Sequence, residues 1–211
     1  MVGPCAEATY GNEAWDIRFI DHNGEAGVLR TICVAHGSQT YNNDLCSVNK
    51  VWELNSGPRS PWKVRYFLDT EFTDFQSSQL ISLAIVGEDG REFYAECSNF
   101  NLALCSDFVR DAVLPHLGVV PGRAMPSADV RKQLQAWLAA VPLKPKPALC
   151  YDYERDLTLV ERLLGTALPR GWQVEDVGKR IDAACRNAYL DQRGVRHHAL
   201  HDARANAIAF R

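Results

Sequence analysis

The chain has 211 residues, of which 46% are hydrophobic and 23% charged, and its formal net charge is −3 at pH 7. These values fit an ordinary globular domain and exclude fibrous, low-complexity and intrinsically disordered classes. They also exclude the strongly basic balance of proteins that grip long duplexes through many phosphates, so any contacts with nucleic acid are expected to be few and local.

Membrane and secretion signals are not visible in the sequence. No apolar run approaches the roughly 20 residues that a membrane-spanning helix needs. The N-terminus has no basic segment followed by an apolar one, as a secretory signal would. The seven cysteines are odd in number and contain no Cys-x-x-Cys pair, which is typical of a reducing compartment; they are residues 5, 33, 46, 97, 105, 150 and 185. We therefore expect a soluble cytoplasmic protein without a membrane partner.

The N-terminal third differs in composition from the rest. Residues 1–62 hold four Lys or Arg against seven Asp or Glu, whereas residues 63–211 are balanced at 19 of each. Two strand-like runs, 15–20 and 27–35, flank an Asn-Gly pair and indicate a β-hairpin. A Pro- and Gly-containing stretch at 55–61 is typical of a linker. We predict an N-terminal extension of unknown role over 1–62 and a separate domain over 63–211.

Strands and helices alternate from residue 63 onward. Apolar runs predict strands, listed by residue number as 63–69, 80–86, 92–95, 148–151 and 173–175. Periodic apolar residues predict a helix that Ser127 caps and that ends near Val141. Further helices are expected over 157–164, 179–193 and from 200 to the C-terminus, the first two ended by Gly165 and Gly194. This order predicts an α/β layer architecture.

The first strand ends in Asp69-Thr70-Glu71. Because side chains alternate along a strand, Asp69 and Glu71 point to the same side. Two neighbouring carboxylates repel each other unless a cation lies between them, and carboxylate oxygens are ligands that Mg²⁺ and Mn²⁺ prefer. Taken alone, the pair is also compatible with a solvated strand end.

A second acidic motif, from Asp152 to Asp156, leaves the fourth strand and enters a helix. Asp156 occupies the place of a helix cap or first-turn acid, and Asp152 that of a loop acid. The carboxyl ends of strands are where α/β proteins place their sites. Both residues are therefore candidates.

The third motif runs from His197 to Ala203 and opens the last helix. His197 is expected on the preceding loop, where it can act as a general base, while Asp202 projects from the first helical turn and can ligate a metal. An alternative uses His197 and His201, four residues apart, as a zinc pair, although no Glu follows the first histidine. His198 and His201 are expected on the solvent side.

Taken together and in this order, the three motifs resemble those of the DEDDh 3′–5′ exonucleases of the ribonuclease H-like superfamily. The resemblance is carried by the segments 67–72, 149–156 and 197–203, and it covers about residues 64–211. The strand over 80–86 and the turn after it look closest to small bacterial and phage exoribonuclease-like members. The resemblance implies a ribonuclease H-like mixed sheet of about five strands flanked by helices, with 63–211 as the exonuclease domain.

Carried onto this sequence, the resemblance makes four acids the metal-binding carboxylates: Asp69, Glu71, Asp156 and Asp202. It makes His197 the general base. Asp156 is preferred to Asp152 because the second acid of the family opens its helix, and here the apolar helical pattern starts at Leu157. In many relatives a Gly-His-Asn or Gly-Asn stretch precedes this acid, whereas this chain has Cys150-Tyr-Asp-Tyr.

The resemblance further implies two divalent ions, Mg²⁺ or Mn²⁺, and release of nucleoside 5′-monophosphates from a free 3′ end. The substrate would be single-stranded RNA or DNA, with RNA slightly favoured, and the protein would be a homodimer. As a hypothesis, Thr70, Phe72 and Leu80 hold the terminal nucleotide by stacking rather than by reading base edges.

Two other classes of protein compete with this interpretation. A non-catalytic ribonuclease H-like module could bind nucleic acid or a partner protein, although the complete set of five residues argues against it. A cysteine hydrolase would use one of the seven cysteines with a histidine. No cysteine has a recognisable nucleophile context, and Cys150 is expected in the core.

Overall fold

The computed structural model describes residues 62–211 throughout and, before them, only the backbone of three strands: β1 (Tyr10–Gly11), β2 (Ala14–Ile20) and β3 (Ala26–Thr31). In the first of two compact units, residues 1–52, β2 pairs antiparallel with both β1 and β3. The Asn-Gly turn and the linker at 55–61 lie outside the described residues. The domain boundary at residue 62 stays a prediction.

The second unit, residues 53–211, contains a mixed sheet of six strands among its described residues. They are β4 (Lys63–Phe72), β5 (Leu80–Gly87), β6 (Glu92–Cys97), β7 (Ala124–Met125), β8 (Lys146–Tyr151) and β9 (Gln173–Asp176). Their spatial order is β7-β6-β5-β4-β8-β9. The hairpin strands β4, β5 and β6 pair antiparallel, whereas β8 runs parallel to β4, and β9 runs parallel to β8.

Five α-helices accompany this sheet in residues 62–211: α1 (Asp107–Ala112), α2 (Ser127–Ala140), α3 (Glu154–Leu164), α4 (Ala183–Arg193) and α5 (Ala199–Ala209). Sheet and helices confirm the predicted α/β fold class with a mixed sheet flanked by helices, and the sheet has six strands in place of about five. No helix in the described residues is long and apolar enough to cross a membrane.

Two apolar cores cover the two faces of the sheet. One face of β4 and β5 packs with Leu134 of α2 and Val160 of α3. On the other face, Phe67 and Ala84 pack with Ala203 of α5. Because small side chains line α5, this helix lies close against the strands. Strand β4 is thereby held between α3 on one face and α5 on the other.

Several boundaries differ from the sequence prediction for local reasons. Ser127 is the first residue of α2 rather than its cap, because the carbonyl of Pro126 accepts the first helical hydrogen bonds, from the N–H groups of Asp129 and Val130. Helix α3 begins three residues before Leu157, at Glu154. The predictions that Gly165 and Gly194 end their helices are confirmed, since both adopt left-handed φ values of 67° and 66°.

Candidate active site

Four carboxylates converge where β4 and β8 end and where α3 and α5 begin. Asp69 and Glu71 lie near the C-terminal end of β4. Asp156 lies in the first turn of α3 and Asp202 in the first turn of α5. Because the two helices cover opposite faces of the sheet, β4 lies between the last two acids, and Asp69 near its end groups with both.

The acidic side chains form two groups that could each hold a metal ion. Asp69, Asp152 and Asp156 offer oxygen atoms within 4.8 Å of one another, and so do Asp69, Glu71 and Asp202. Asp69 belongs to both groups. Clustered carboxylate oxygens are ligands that hard cations such as Mg²⁺, Mn²⁺ and Ca²⁺ prefer. Softer metals prefer sulfur and imidazole ligands.

Burial and mutual repulsion shift the pKa values of these carboxylates. Burial, and then repulsion from Asp202 and Asp156, raises the pKa of Asp69 well above its usual range. The same causes raise the pKa of Glu71 to about 8. Burial raises the pKa of Asp156 to about 7, and it raises the pKa of Asp202 as well. A cation bound among these oxygens would favour the charged forms and reverse these shifts.

Hydrogen bonds orient the two acids that come from the helices. The Thr70 hydroxyl donates to Asp156 Oδ1 at 2.6 Å. The His198 backbone N–H donates to Asp202 Oδ2 at 3.0 Å. Each bond fixes one oxygen of its carboxylate, which is the usual role of groups that surround metal ligands.

Asp152 also reaches the site, but its partners are different. Arg186 Nη1 lies 3.2 Å from Asp152 Oδ2, and Asn206 Nδ2 donates to Asp152 Oδ1 at 3.0 Å. Arg186 Nη2 is also 3.8 Å from Asp202 Oδ1. Sequence reasoning missed both Arg186 and Asn206. Asn206 follows Asp202 by four residues and so shares its helix face, which is a signal that the sequence did contain.

His197 lies on the loop between α4 and α5 and lines the cavity that contains the carboxylates. We call this space, which has a volume of about 400 Å³, the carboxylate cavity; its lining also includes Asp69, Glu71, Asp156 and Asp202. His197 is exposed and has a left-handed backbone with φ of 58°, a conformation that is uncommon outside glycine. Its ring meets Phe108 edge-on, at 4.9 Å between centroids.

The prediction that His198 and His201 face solvent is wrong. His198 is buried and stacks on Tyr94 of β6 at 4.9 Å between ring centroids, while His201 is half-buried and meets His198 edge-on at 5.0 Å. Burial lowers the pKa of His201 to about 4. The start of α5 packs against β6, and this long-range contact decides which way the histidines point. Neither His197 nor His201 belongs to a metal-ligating group of three side chains within residues 62–211.

The residues expected to hold a terminal nucleotide are divided between two cavities. Thr70 and Phe72 line the carboxylate cavity. Leu80 pairs with Phe72 across β4 and β5 but lines a second cavity of about 400 Å³. Cys150, the cysteine expected in the core, is buried, and this burial raises the pKa of its thiol to about 12, so the thiol stays protonated at neutral pH.

Comparisons with known proteins give a partial match. No protein-family model matches the chain. The chain is 47% identical over 55 residues to the 3′-5′ exoribonucleases of two Mycobacterium tuberculosis strains, CDC 1551 and H37Rv. This match covers 26% of the chain and 33% of each relative, so it spans about a third of their length. Among solved structures, cell-death related nuclease 4 aligns with a TM-score of 0.41 and 17% identity, over 70% of this chain and 62% of the nuclease.

Proposed function

We propose that the protein is a metal-dependent 3′–5′ exonuclease that removes nucleoside 5′-monophosphates from the 3′ end of single-stranded nucleic acid, with RNA as the preferred polymer. The proposal depends on one observation: two clusters of three acids share Asp69, and His197 lines the same cavity. The 47% identity to exoribonucleases over 55 residues supports a nuclease. A cytoplasmic location and a homodimer remain predictions of the sequence.

The residues present fit two divalent ions. We assign Asp69, Glu71, Asp156 and Asp202 as the ligands, and His197 as the general base. Asp156 is preferred to Asp152 because the side chain of Asp152 already pairs with Arg186 and Asn206. When bound, the ions act as Lewis acids that stabilise the charge developing on the phosphate and on the leaving oxygen.

The protein side chains supply the remaining steps. His197 accepts a proton at an imidazole nitrogen from a water molecule, whose oxygen attacks the phosphorus of the last phosphodiester. The bond from phosphorus to the 3′ oxygen breaks, that oxygen takes up a proton, and a nucleoside 5′-monophosphate leaves. Thr70 holds Asp156 in place, and Phe72 provides an aromatic face in the cavity.

A time course on 5′-labelled single-stranded RNA and DNA tests the proposal. The protein is incubated with Mg²⁺, with Mn²⁺ or with EDTA, beside the variants Asp69→Asn and Glu71→Gln. We expect a ladder that shortens from the 3′ end, faster on RNA, and that disappears with EDTA and in both variants. Asp129→Asn is the matched control, because Asp129 is half-buried on α2 and is paired with Lys132 outside the site.

The outcomes separate the proposed exonuclease from other functions. Internal fragments in place of a ladder would indicate an endonuclease. Folded protein that binds Mn²⁺ yet cleaves neither polymer would overturn the proposal and favour a module that only binds nucleic acid or a partner. Equal activity of Asp69→Asn and wild type would show that cleavage does not depend on this carboxylate and would contradict the proposed mechanism.

A further inference from the structure

A second cavity, beside the site already described, has the opposite electrostatic character. It has a volume of about 400 Å³, and its lining includes Leu80, Phe100, Ser127, Arg131, Leu159 and Arg162. Its lining contains arginines and no carboxylate, whereas the carboxylate cavity contains five acids. We call this space the basic cavity.

Three arginines around the basic cavity are held in place without being neutralised. Arg155 Nη1 donates to Ser78 Oγ at 3.0 Å, and Arg162 Nη1 donates to the Ser78 carbonyl at 3.3 Å. Arg131 Nε donates to the carbonyl of Leu163. None of the three makes an ion pair with another residue in the 62–211 range. A guanidinium has five N–H donors, so each arginine keeps further donors for a ligand.

The two cavities adjoin each other along β4, β5 and α3. Phe72 lines the carboxylate cavity and pairs with Leu80, which lines the basic one. On α3, Asp156 lines the first cavity, while Leu159 and Arg162 line the second. Arg155 lies between them, with its guanidinium 6.0 Å from the centroid of the Phe72 ring.

An exposed aromatic side chain, Phe75, lies next to Phe72 at the boundary between the two cavities. Phe75 is 65% exposed, and its ring meets that of Phe72 edge-on at 5.3 Å. Aromatic faces beside a positively charged groove are the combination that single-stranded nucleic acid binds without reading its sequence. Arginine suits phosphate oxygens because its planar donors can bind two of them together.

We propose that the basic cavity binds the phosphate backbone of the nucleotides on the 5′ side of the nucleotide being removed. This inference rests on the proposed function, since it takes the carboxylate cavity as the place of the 3′ end. Arg131 and Arg162 contact the phosphates, and Phe75 and the apolar lining contact the bases and sugars. The protein therefore holds longer strands more tightly than short ones.

Binding of 5′-fluorescein oligonucleotides, measured by fluorescence anisotropy, tests this inference. The full chain carries Asp69→Asn, which keeps the strand intact, and a dinucleotide is compared with an octanucleotide at several salt concentrations. Arg131→Gln combined with Arg162→Gln is compared with Arg91→Gln combined with Arg170→Gln. The control pair removes the same charge at the other end of the sheet, just before β6 and β9.

We expect the Arg131 and Arg162 pair to lose most of the gain in affinity from dinucleotide to octanucleotide. The slope of log affinity against log salt should fall by about 1.4, since each contact to a single strand contributes about 0.7. The control pair should keep both the gain and the slope. If the double variant does not fold, Arg162→Gln alone should lower the slope by about 0.7.

Equal effects of the two variant pairs would overturn the inference, and so would an affinity that does not depend on strand length. Cleavage is scored separately with Asp69 intact. Degradation from the 3′ end without any effect at Arg131 and Arg162 would leave the proposed function standing and remove only the basic cavity. Length-dependent binding through these arginines without cleavage would overturn the proposed function and leave the basic cavity as a binding site for single strands.

Discussion

Thr70 and Asp156 are joined by a hydrogen bond of 2.6 Å that links β4 to α3 at the centre of the site. Thr70 stands between Asp69 and Glu71 in the chain, so it points to the opposite face of the strand from these two acids. Its hydroxyl therefore meets the helix on the α3 side, while Asp69 and Glu71 form a group with Asp202 of α5.

Thr70→Val should weaken metal binding without disturbing the strand. Valine keeps the branched shape but cannot donate to Asp156, and loss of a group that orients a metal ligand typically costs about 10- to 100-fold in affinity or activity. Titration calorimetry with Mn²⁺ measures this loss. Thr70→Ser keeps the hydroxyl and is the control, so an equal loss in both variants would show that the hydrogen bond is not the cause.

His197→Asn should reduce the rate of cleavage by about 10²- to 10⁴-fold, the usual contribution of a general base. Asparagine tolerates the left-handed backbone found at this position, and the side chain of His197 is exposed. The melting temperature and the affinity for Mn²⁺ should therefore stay at the wild-type values. Single-turnover cleavage of labelled RNA measures the rate, and a wild-type rate would exclude His197 as the base.

The metal-free protein should become less stable as the pH rises from 6.5 to 8. Folding raises the pKa of Glu71 to about 8 and that of Asp156 to about 7. The folded state thus binds more protons than the unfolded state, and this stabilisation is lost as the pH rises through those values. His201 acts in the opposite direction, but only between about 4 and its ordinary value of 6.5.

Melting curves in EDTA across this pH range measure the effect. Millimolar Mg²⁺ should remove most of the decline, because a cation favours the charged carboxylates. Glu71→Gln should flatten the decline, whereas Glu161→Gln, which changes an exposed carboxylate of α3, should leave it unchanged. A stability that rises between pH 6.5 and 8 would contradict the assignment.

Ala203→Leu should lower both stability and metal affinity. Ala203 is fully buried between α5 and the sheet, and overpacking of a core costs about 1–3 kcal/mol of unfolding free energy. The strain should also displace Asp202, its neighbour in the chain. Ala184→Leu on the exposed side of α4 is the control. Thermal melts and Mn²⁺ titration measure both effects, and a change in stability alone would show that Asp202 is held independently.

The sequence predicted those parts of the fold whose signal is local. Apolar runs located β4, β5 and β8, and two glycines marked the ends of α3 and α4. Helix α1 escaped because it has only six residues and no apolar periodicity. Its one readable signal was Ser106, whose hydroxyl accepts a hydrogen bond from Val109 N at 3.3 Å at the start of the helix.

At the site, chain order could indicate which acids belong together, but not which side chains surround them. The ion pair between Arg186 and Asp152 joins α4 to the loop before α3, and no spacing within either segment indicates it. His198 was misplaced for the same reason, since the ring of Tyr94 on another strand determines its burial. Contacts between distant segments depend on tertiary packing, which a local pattern does not contain.

The dispersal of the carboxylates along the chain has a consequence for how the protein would acquire the proposed activity. Asp69 belongs to the first strand of the large sheet and Asp202 to its last helix, so the two can meet only after long-range chain closure. Such contacts are the slow events of folding. Partly folded chains, with α5 undocked, would lack one of the two ligand groups. The proposed metal-dependent turnover would then report that folding is complete, and its recovery during refolding should lag behind recovery of helical signal.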